Sequence, residues 1–120
     1  MLDHMNLLVS DIAKSKAFFS AALAPLGYKV LYDLGDAVGF GIEYPIFWID
    51  RGTPAVQMHV AFAAANRALV KAFHDAAIAA GGRDNGASGL RPSPYPKNYF
   101  AAFVLDPDGN NIETVCRNPE

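Results

Sequence analysis

The sequence predicts an α+β fold built from two β-α-β-β-β units. The main observation is that the chain matches itself at one unbroken offset, at which His4, Lys16, Phe18 and Gly27 fall on His59, Lys71, Phe73 and Gly82. A repeat of this length is typical of one supersecondary unit used twice. The second observation is that both halves place one helical pattern after an apolar strand pattern and before shorter strands. We therefore expect a single domain over residues 1–120, with repeat units at about 1–52 and 55–118.

The first unit is predicted to open with a strand over residues 3–9 and a helix from Ile12 to Leu26. Ser10 and Asp11 are residue types that cap the N-termini of helices. Gly27 follows the last apolar position of the helical stripe, where a glycine commonly ends a helix. Further strands are expected over residues 28–33, 37–42 and 46–50. Residues 51–54, with the sequence RGTP, are the predicted linker between the units.

The second unit repeats this order, with a strand over 57–63 and a helix over 68–80 that Asn66 caps. A short strand is expected over 83–85, followed by a long loop over 86–97 that is rich in glycine and proline. A loop of this length is usually a binding loop or disordered. Two strands, over 99–105 and 110–116, flank the turn signal DPDG at residues 106–109.

Composition excludes several classes of partner. The formal net charge is −2 and the basic residues are not clustered, which argues against nucleic acid, because that binding needs grouped Lys and Arg. No apolar run is long enough to span a bilayer, so we expect no membrane partner. The single Cys116 cannot form an intrachain disulfide and suits a reducing compartment. The first residues lack a basic segment typical of a signal peptide, and the expected location is cytoplasmic.

Two histidines and a glutamate fall on the more polar face of three predicted strands. Successive side chains of a strand point to opposite faces, so His4 shares a face with Asn6, and His59 and Glu113 each oppose the bulky apolar residues of their strands. The apolar faces are those that helices would cover. Two imidazoles and one carboxylate suit a divalent first-row metal.

Three motifs carry a resemblance to a known family. They are Asp3-His4, Met58-His59-Val60, and the segment DPDGNNIE at residues 106–113. With them the chain resembles, over nearly its whole length, the vicinal oxygen chelate superfamily of glyoxalase I, fosfomycin-resistance proteins, extradiol dioxygenases and bleomycin-resistance proteins. The resemblance implies a curved mixed sheet around a cleft, with the helices on its outer face. It also implies that His4, His59 and Glu113 bind a divalent ion (Zn, Ni, Mn or Fe).

The sequence departs from the family pattern at the fourth ligand. Aligning residues 46–48 with 112–114 places Phe47 at that position. A phenyl ring can neither bind a metal nor accept a proton, so the resemblance does not support glyoxalase I activity itself. Glu43, four residues earlier, is a weak candidate for a catalytic base. Phe47 is expected to line an aromatic substrate pocket, and Trp48, with the opposite facing, is expected in the core.

The long loop and the residue that follows it supply further candidates. Arg91 or Lys97 could hold an anionic group of a substrate, and Tyr99 could donate a hydrogen bond to a substrate oxygen. Tyr99 is also a weak candidate for a catalytic residue. For each of these residues the alternative is a solvated loop without a function.

Two functions remain open from the sequence. The first is a metal-dependent enzyme, with lyase, isomerase or related chemistry, whose ion chelates adjacent oxygens of a small substrate. The second is a metal-free protein that binds a planar small molecule or drug, as bleomycin-resistance proteins do. Small members of the family commonly form homodimers, so a homodimer is expected. His4 could then come from one subunit and His59 with Glu113 from its mate, or all three from one chain.

Overall fold

Each half of the chain folds in the predicted β-α-β-β-β order. The computed structural model describes all residues from Met1 to Glu120. The first unit contains β1 (Met5–Val9), α1 (Ile12–Leu23), a 3-10 turn (Ala24–Leu26), β2 (Lys29–Asp33), β3 (Ala37–Gly41) and β4 (Pro45–Arg51). The second unit contains β5 (His59–Ala63), α2 (Arg67–Ala79), β6 (Arg83–Leu90), β7 (Phe100–Leu105) and β8 (Asn111–Cys116). The predicted α+β class is confirmed.

Each unit forms its own four-stranded sheet with the same topology. The strand order is β1-β4-β3-β2 in the first sheet and β5-β8-β7-β6 in the second. In both sheets the first strand lies parallel to the last strand of its unit, and the other pairs are antiparallel. The edge strands β1 and β5 are therefore equivalent. His4 precedes β1 and His59 opens β5, at the two ends that the repeat relates.

The helices begin and end where local chemistry requires. The Asp11 side chain accepts a hydrogen bond from the backbone of Lys14 at 3.0 Å, and that of Asn66 does the same for Leu69 at 2.9 Å. After α1 the chain tightens into the 3-10 turn and stops at Gly27, whose φ of +87° suits a residue without a Cβ. Neither helix combines the length and the apolar character needed to cross a bilayer.

One hydrophobic core joins the two units. The helices contact each other and cover the apolar faces of the sheets. At its centre the Phe47 ring of β4 lies 4.9 Å from Phe19 of α1 and 5.3 Å from Phe62 of β5, between ring centroids. Burial of one such side chain is worth roughly 1.5–3 kcal/mol. The faces left uncovered are those that carry the candidate ligands.

The segment predicted as a loop over residues 86–97 is half strand. β6 runs to Leu90, and the connection to β7 covers only the residues after it. The prediction was wrong because β6 is glycine-rich and lacks an alternating pattern. Its pairing with β7 shifts register on both sides of Gly86, whose φ of +150° favours glycine. The Arg91 backbone N–H then donates to the Tyr99 carbonyl at 2.9 Å and closes the connection.

Candidate functional site

A buried carboxylate lies in the middle of β8. Glu113 pairs with Ala61 of β5 on one side and with Phe103 of β7 on the other, and only 2 % of the residue is exposed. Its neighbours along the strand, Ile112 and Thr114, face the helices and are fully buried. Strand alternation therefore directs the carboxylate to the uncovered face of the second sheet.

Tyr99 satisfies this carboxylate. Its hydroxyl donates to Glu113, lying 2.7 Å from Oε2 and 3.0 Å from Oε1. Burial, and secondarily this hydrogen bond, raises the pKa of Tyr99 to about 12. The guanidinium of Arg117 lies over the face of the Tyr99 ring, 4.9 Å from its centroid. Tyr99 is thus a protonated donor at neutral pH that fixes the orientation of Glu113.

His59 points toward the same carboxylate. Its Nδ1 lies 2.9 Å from the carbonyl oxygen of Asn111. A carbonyl can only accept, so Nδ1 carries a proton, and Nε2 is the ring nitrogen that can offer a lone pair to a metal ion. Nε2 lies 3.9 Å from Glu113 Oε1, too far for a hydrogen bond. Bonds to zinc are about 2.0–2.2 Å long, so one ion could touch both atoms.

The turn between β7 and β8 holds His59 in place. Asp106 is buried and accepts hydrogen bonds from the backbone of Asp108 at 3.0 Å and from the backbone and side chain of Asn110 at 2.7 and 2.9 Å. Burial raises the pKa of Asp106. The Asn110 side chain in turn accepts from the backbone N–H of Met58 at 2.8 Å. The C-terminal motif thereby fastens the start of β5 beside β8.

Two stacked side chains, Phe103 and Arg91, lie behind the imidazole of His59. The ring of Phe103 lies nearly parallel to that of His59, at 6.3 Å and 24°. Against Phe103 lies the guanidinium of Arg91, 5.2 Å from its centroid. Arg91 donates to the carbonyls of Gly89 at 2.8 Å and Ala87 at 2.9 Å. Of the two predicted cations, Arg91 thus lies beside the site.

Lys97 is separate from this arrangement. It is exposed in the connection between β6 and β7 and makes neither a hydrogen bond nor an ion pair. Glu43 also lies elsewhere, in the exposed turn between β3 and β4, beside Tyr28 and Ile42. Neither residue is brought to Glu113 or His59.

His4 is not brought to His59 and Glu113 in the same chain. Its Nδ1 lies 2.7 Å from Asp3 Oδ1, and half of its side chain is exposed. No three His, Cys, Asp or Glu side chains of one chain converge as metal ligands would. His4 instead lines a cavity of 550 Å³ on the uncovered face of the first sheet, with Asn6, Trp48 and Asp50. One chain therefore joins two of the three predicted ligands.

The expected facing of Phe47 and Trp48 was wrong. Asn6 of β1 pairs with Trp48 as Ala61 of β5 pairs with Glu113. Trp48, rather than Phe47, is thus the equivalent of Glu113. Phe47 is 1 % exposed and packs in the core. The error came from matching apolar neighbours between strands, whereas the register is set by the pairing of β4 with β1, which places Trp48 opposite Asn6.

Comparison with known proteins agrees with this fold. The family model described as Glyoxalase/Bleomycin resistance protein/Dioxygenase superfamily matches residues 1–114. A glyoxalase/bleomycin resistance protein from Albidiferax ferrireducens T118 is 28 % identical, with a TM-score of 0.82, and the match covers 97 % of this chain and 98 % of that one. No curated protein sequence is significantly similar.

Two more distant structures have the same fold. A variant of the fosfomycin resistance protein FosX from Listeria monocytogenes, complexed with Mn(II) and 1S,2S-dihydroxypropylphosphonic acid, is 20 % identical, with a TM-score of 0.72 and coverage of 96 % of this chain and 88 % of that one. A glyoxalase I variant from Zea mays is 21 % identical, with a TM-score of 0.71, and the match covers 95 % of this chain and 46 % of that one.

Proposed function

Because the chain belongs to the Glyoxalase/Bleomycin resistance protein/Dioxygenase superfamily, we propose that it is a metal-dependent enzyme acting on a small molecule with two adjacent oxygens. The observation that carries the proposal is the pair formed by His59 Nε2 and Glu113 Oε1, 3.9 Å apart. A divalent ion bound there would act as a Lewis acid on those oxygens. Zinc, nickel, manganese and iron all accept imidazole and carboxylate ligands.

The residues around the pair are suited to hold such an ion. The Asn111 carbonyl fixes the tautomer of His59, as hydrogen bonds to metal-binding histidines commonly do. Tyr99 holds the Glu113 carboxylate by its hydroxyl. Both contacts restrict rotation of the ligands before the ion arrives, which lowers the entropy cost of binding.

The third ligand in this proposal is His4 of a second subunit. His4 is exposed beside an edge strand. Large apolar side chains are also exposed on and next to the two edge strands: Leu2 and Leu8 at β1, and Val56 and Met58 just before β5. A homodimer that joins the first unit of one subunit to the second unit of its mate would cover these side chains and complete the ligand set. Two equivalent sites would result from the twofold symmetry.

The proposed reaction does not use a second carboxylate as a base at the metal ion. The position equivalent to Glu113 is occupied by Trp48, and an indole cannot accept a proton. This supports a lyase- or isomerase-type reaction without a base at that position. It also favours a second candidate function, metal-free binding of a planar molecule against the indole.

The proposal includes a cytoplasmic location. Cys116 is a buried free thiol, which suits a reducing compartment. The formal net charge of −2 and the scattered basic residues support a small-molecule ligand rather than nucleic acid.

Metal binding by histidine variants tests the proposal. His4→Gln, His59→Gln and Glu113→Gln should each weaken binding of Zn, Ni, Mn or Fe at least tenfold, as measured by metal analysis and calorimetry. His74→Gln is the matched control, because His74 lies on α2 and contacts Asp84 at 3.0 Å. An equal loss of metal binding in this control, or no binding of any of the four metals by the unsubstituted protein, would contradict the proposed metal-dependent function.

Mixing two variants tests the shared site. In a mixed dimer of His4→Gln and His59→Gln subunits, one of the two sites is intact if ligands come from both chains. Tight metal binding should therefore reappear at half of the sites on subunit exchange, although each variant alone binds metal at least tenfold more weakly. If each site belonged to one chain, the mixture would bind no more metal than its components.

A further inference from the structure

The uncovered face of the first sheet carries a flat aromatic surface. One row across the four strands contains Tyr32, Gly39, Trp48 and Asn6, which are register partners. A Cβ at Gly39 would lie 3.0 Å from two atoms of the indole, so the indole lies across Gly39 where any other residue would push it away. The rings of Tyr32 and Trp48 are nearly parallel, at 17° and 6.0 Å.

An oriented carboxylate lies beside this surface. Asp50 is two residues from Trp48 on β4 and points to the same face. Its Oδ2 accepts a hydrogen bond from the Asn6 amide at 2.6 Å, which fixes the carboxylate and leaves Oδ1 available. Asp50 and Trp48 line the same cavity of 550 Å³, together with Asp3 and His4.

The charge of the cavity has one sign. Two carboxylates line it and no lysine or arginine does. The nearest basic residue along the strand, Arg51, is paired with Asp36, at 2.9 Å from Nε to Oδ1 and 3.3 Å from Nη2 to Oδ2. The negative charge of Asp50 is therefore not neutralised by the protein.

We propose that this cavity binds a planar organic cation, stacked on Trp48 and paired with Asp50. Tryptophan is the side chain that binds cations most strongly through its ring face, and a carboxylate held in advance strengthens a charged hydrogen bond. The cavity is open to solvent on one side and is wide enough for a ring system to lie on the indole. An uncharged ring would gain the stacking alone, and a compact cation without a ring would gain little of it.

In the proposed dimer, His4 would join this cavity to the metal site of the partner subunit. That the planar cation is part of the substrate rests on the proposed function, because only then does His4 complete the metal site of the partner subunit. The substrate would combine two adjacent oxygens with a protonated N-heteroaromatic or amidinium group. Binding of the cation to the cavity itself needs neither metal nor catalysis.

Trp48 is the single tryptophan of the chain, so its indole N–H gives one NMR signal that reports on this cavity. Metal-free full-length protein is titrated at neutral pH with 1-methylquinolinium, with uncharged quinoline and with tetramethylammonium. We expect a saturable shift of the indole signal and, by calorimetry, about tenfold tighter binding of 1-methylquinolinium than of either comparison compound.

Two variants separate the charge from the stacking. Asp50→Asn should weaken binding of 1-methylquinolinium about tenfold and leave that of quinoline unchanged, whereas Trp48→Leu should weaken both. Asp75→Asn is the control, because Asp75 is an exposed carboxylate on α2, paired with Lys71, and it should change neither. Circular dichroism establishes that each variant is folded.

Equal affinity for quinoline and 1-methylquinolinium, or an Asp50→Asn variant that binds both as the unsubstituted protein does, would overturn the inference. If the protein binds metal but no planar cation, the cation-binding inference is wrong and the proposed metal-dependent enzyme is unaffected. If it binds the cation but no metal, the cation-binding inference holds and the proposed enzyme is wrong.

Discussion

The two units place different side chains on equivalent rows of their sheets. The row of the first unit is Tyr32, Gly39, Trp48 and Asn6, and that of the second is Gly86, Phe103, Glu113 and Ala61. Each row contains one glycine that makes room for a ring. In the first unit the glycine lies on the third strand and the large ring on the fourth. In the second unit the glycine lies on the second strand and the large ring on the third.

This displacement by one strand decides what each face can bind. In the second unit a Cβ at Gly86 would lie 3.1 Å from Arg91 and from Phe103, so the glycine admits the stack and leaves the fourth strand free for a carboxylate. In the first unit the indole of Trp48 takes that place. The same backbone therefore presents a carboxylate with an imidazole on one face and an aromatic surface on the other.

The largest expected effect concerns the buried carboxylate. Tyr99→Phe should lower the free energy of unfolding by about 2 kcal/mol, because Glu113 then stays buried without its hydroxyl donor. In a Glu113→Gln background the cost of Tyr99→Phe should fall below about 1 kcal/mol, because no charge is left unpaired. Urea denaturation of the four proteins measures this coupling.

Tyr95→Phe is the matched control for that cycle. The ring of Tyr95 lies 5.0 Å from that of Tyr99, tilted by 38°, but Tyr95 is exposed, so removal of its hydroxyl should change stability by less than about 0.5 kcal/mol. Equal costs for the two phenylalanine substitutions would show that the hydroxyl of Tyr99 does not stabilise Glu113.

The next effect concerns the glycine of the first row. Gly39→Ala should destabilise the protein by about 1–2 kcal/mol, because the added methyl group meets the indole of Trp48 and the ring of Pro45 at 3.0 Å. The cost should decrease in a Trp48→Phe background, since the smaller ring can move aside. Thermal unfolding of both pairs gives the comparison.

Gly35→Ala distinguishes this packing effect from backbone strain. Gly35 has a φ of +88°, and a Cβ there would meet no atom within 4 Å, so its cost of about 1 kcal/mol comes from backbone conformation. That cost should be the same with Trp48 and with Phe at position 48. If the cost of Gly39→Ala is also the same with either residue at position 48, the position of the indole does not depend on the glycine.

The smallest effect is a loss of stability at high pH. The pKa of Tyr99 is raised to about 12 in the folded protein, so the unfolded chain loses this proton first, near the ordinary value of about 10. The stabilisation is complete below pH 10 and is lost as the pH rises toward 12. At pH 11 the free energy of unfolding should have fallen by about 1 kcal/mol. Unfolding of the unsubstituted protein and of Tyr99→Phe at several pH values isolates it. Parallel curves would contradict the raised pKa.

Elements with a local signal could be predicted from the sequence. Both helices follow from apolar periodicity and from the capping residues Asp11 and Asn66, which act within three residues of their own positions. The strand β6 could not be found in this way. Its glycines carry no alternating pattern, and it is a strand because β7 pairs with it.

The facing of β4 was outside the reach of the sequence for a related reason. A shift of one residue in register moves every side chain of a strand to the other face, and the pairing of β3 with β4 is irregular near Gly41. The hydrogen bond from Tyr99 to Glu113 was also not predictable, because it depends on how the connection after Leu90 returns to the sheet. The approach of His59 to Glu113 was easier to predict, because both strands keep a simple alternation.

The Phe62 ring leaves its own unit and lies between Phe47 and Tyr28 of the other, at 5.3 and 5.8 Å. A contact of this kind ends the independence of two duplicated halves, because neither half can be removed without exposing the ring of the other. Side chains of the joint interior therefore have to fit partners from both units. Side chains of the outward rows do not, so the two units can share one strand pairing and still present chemically different surfaces.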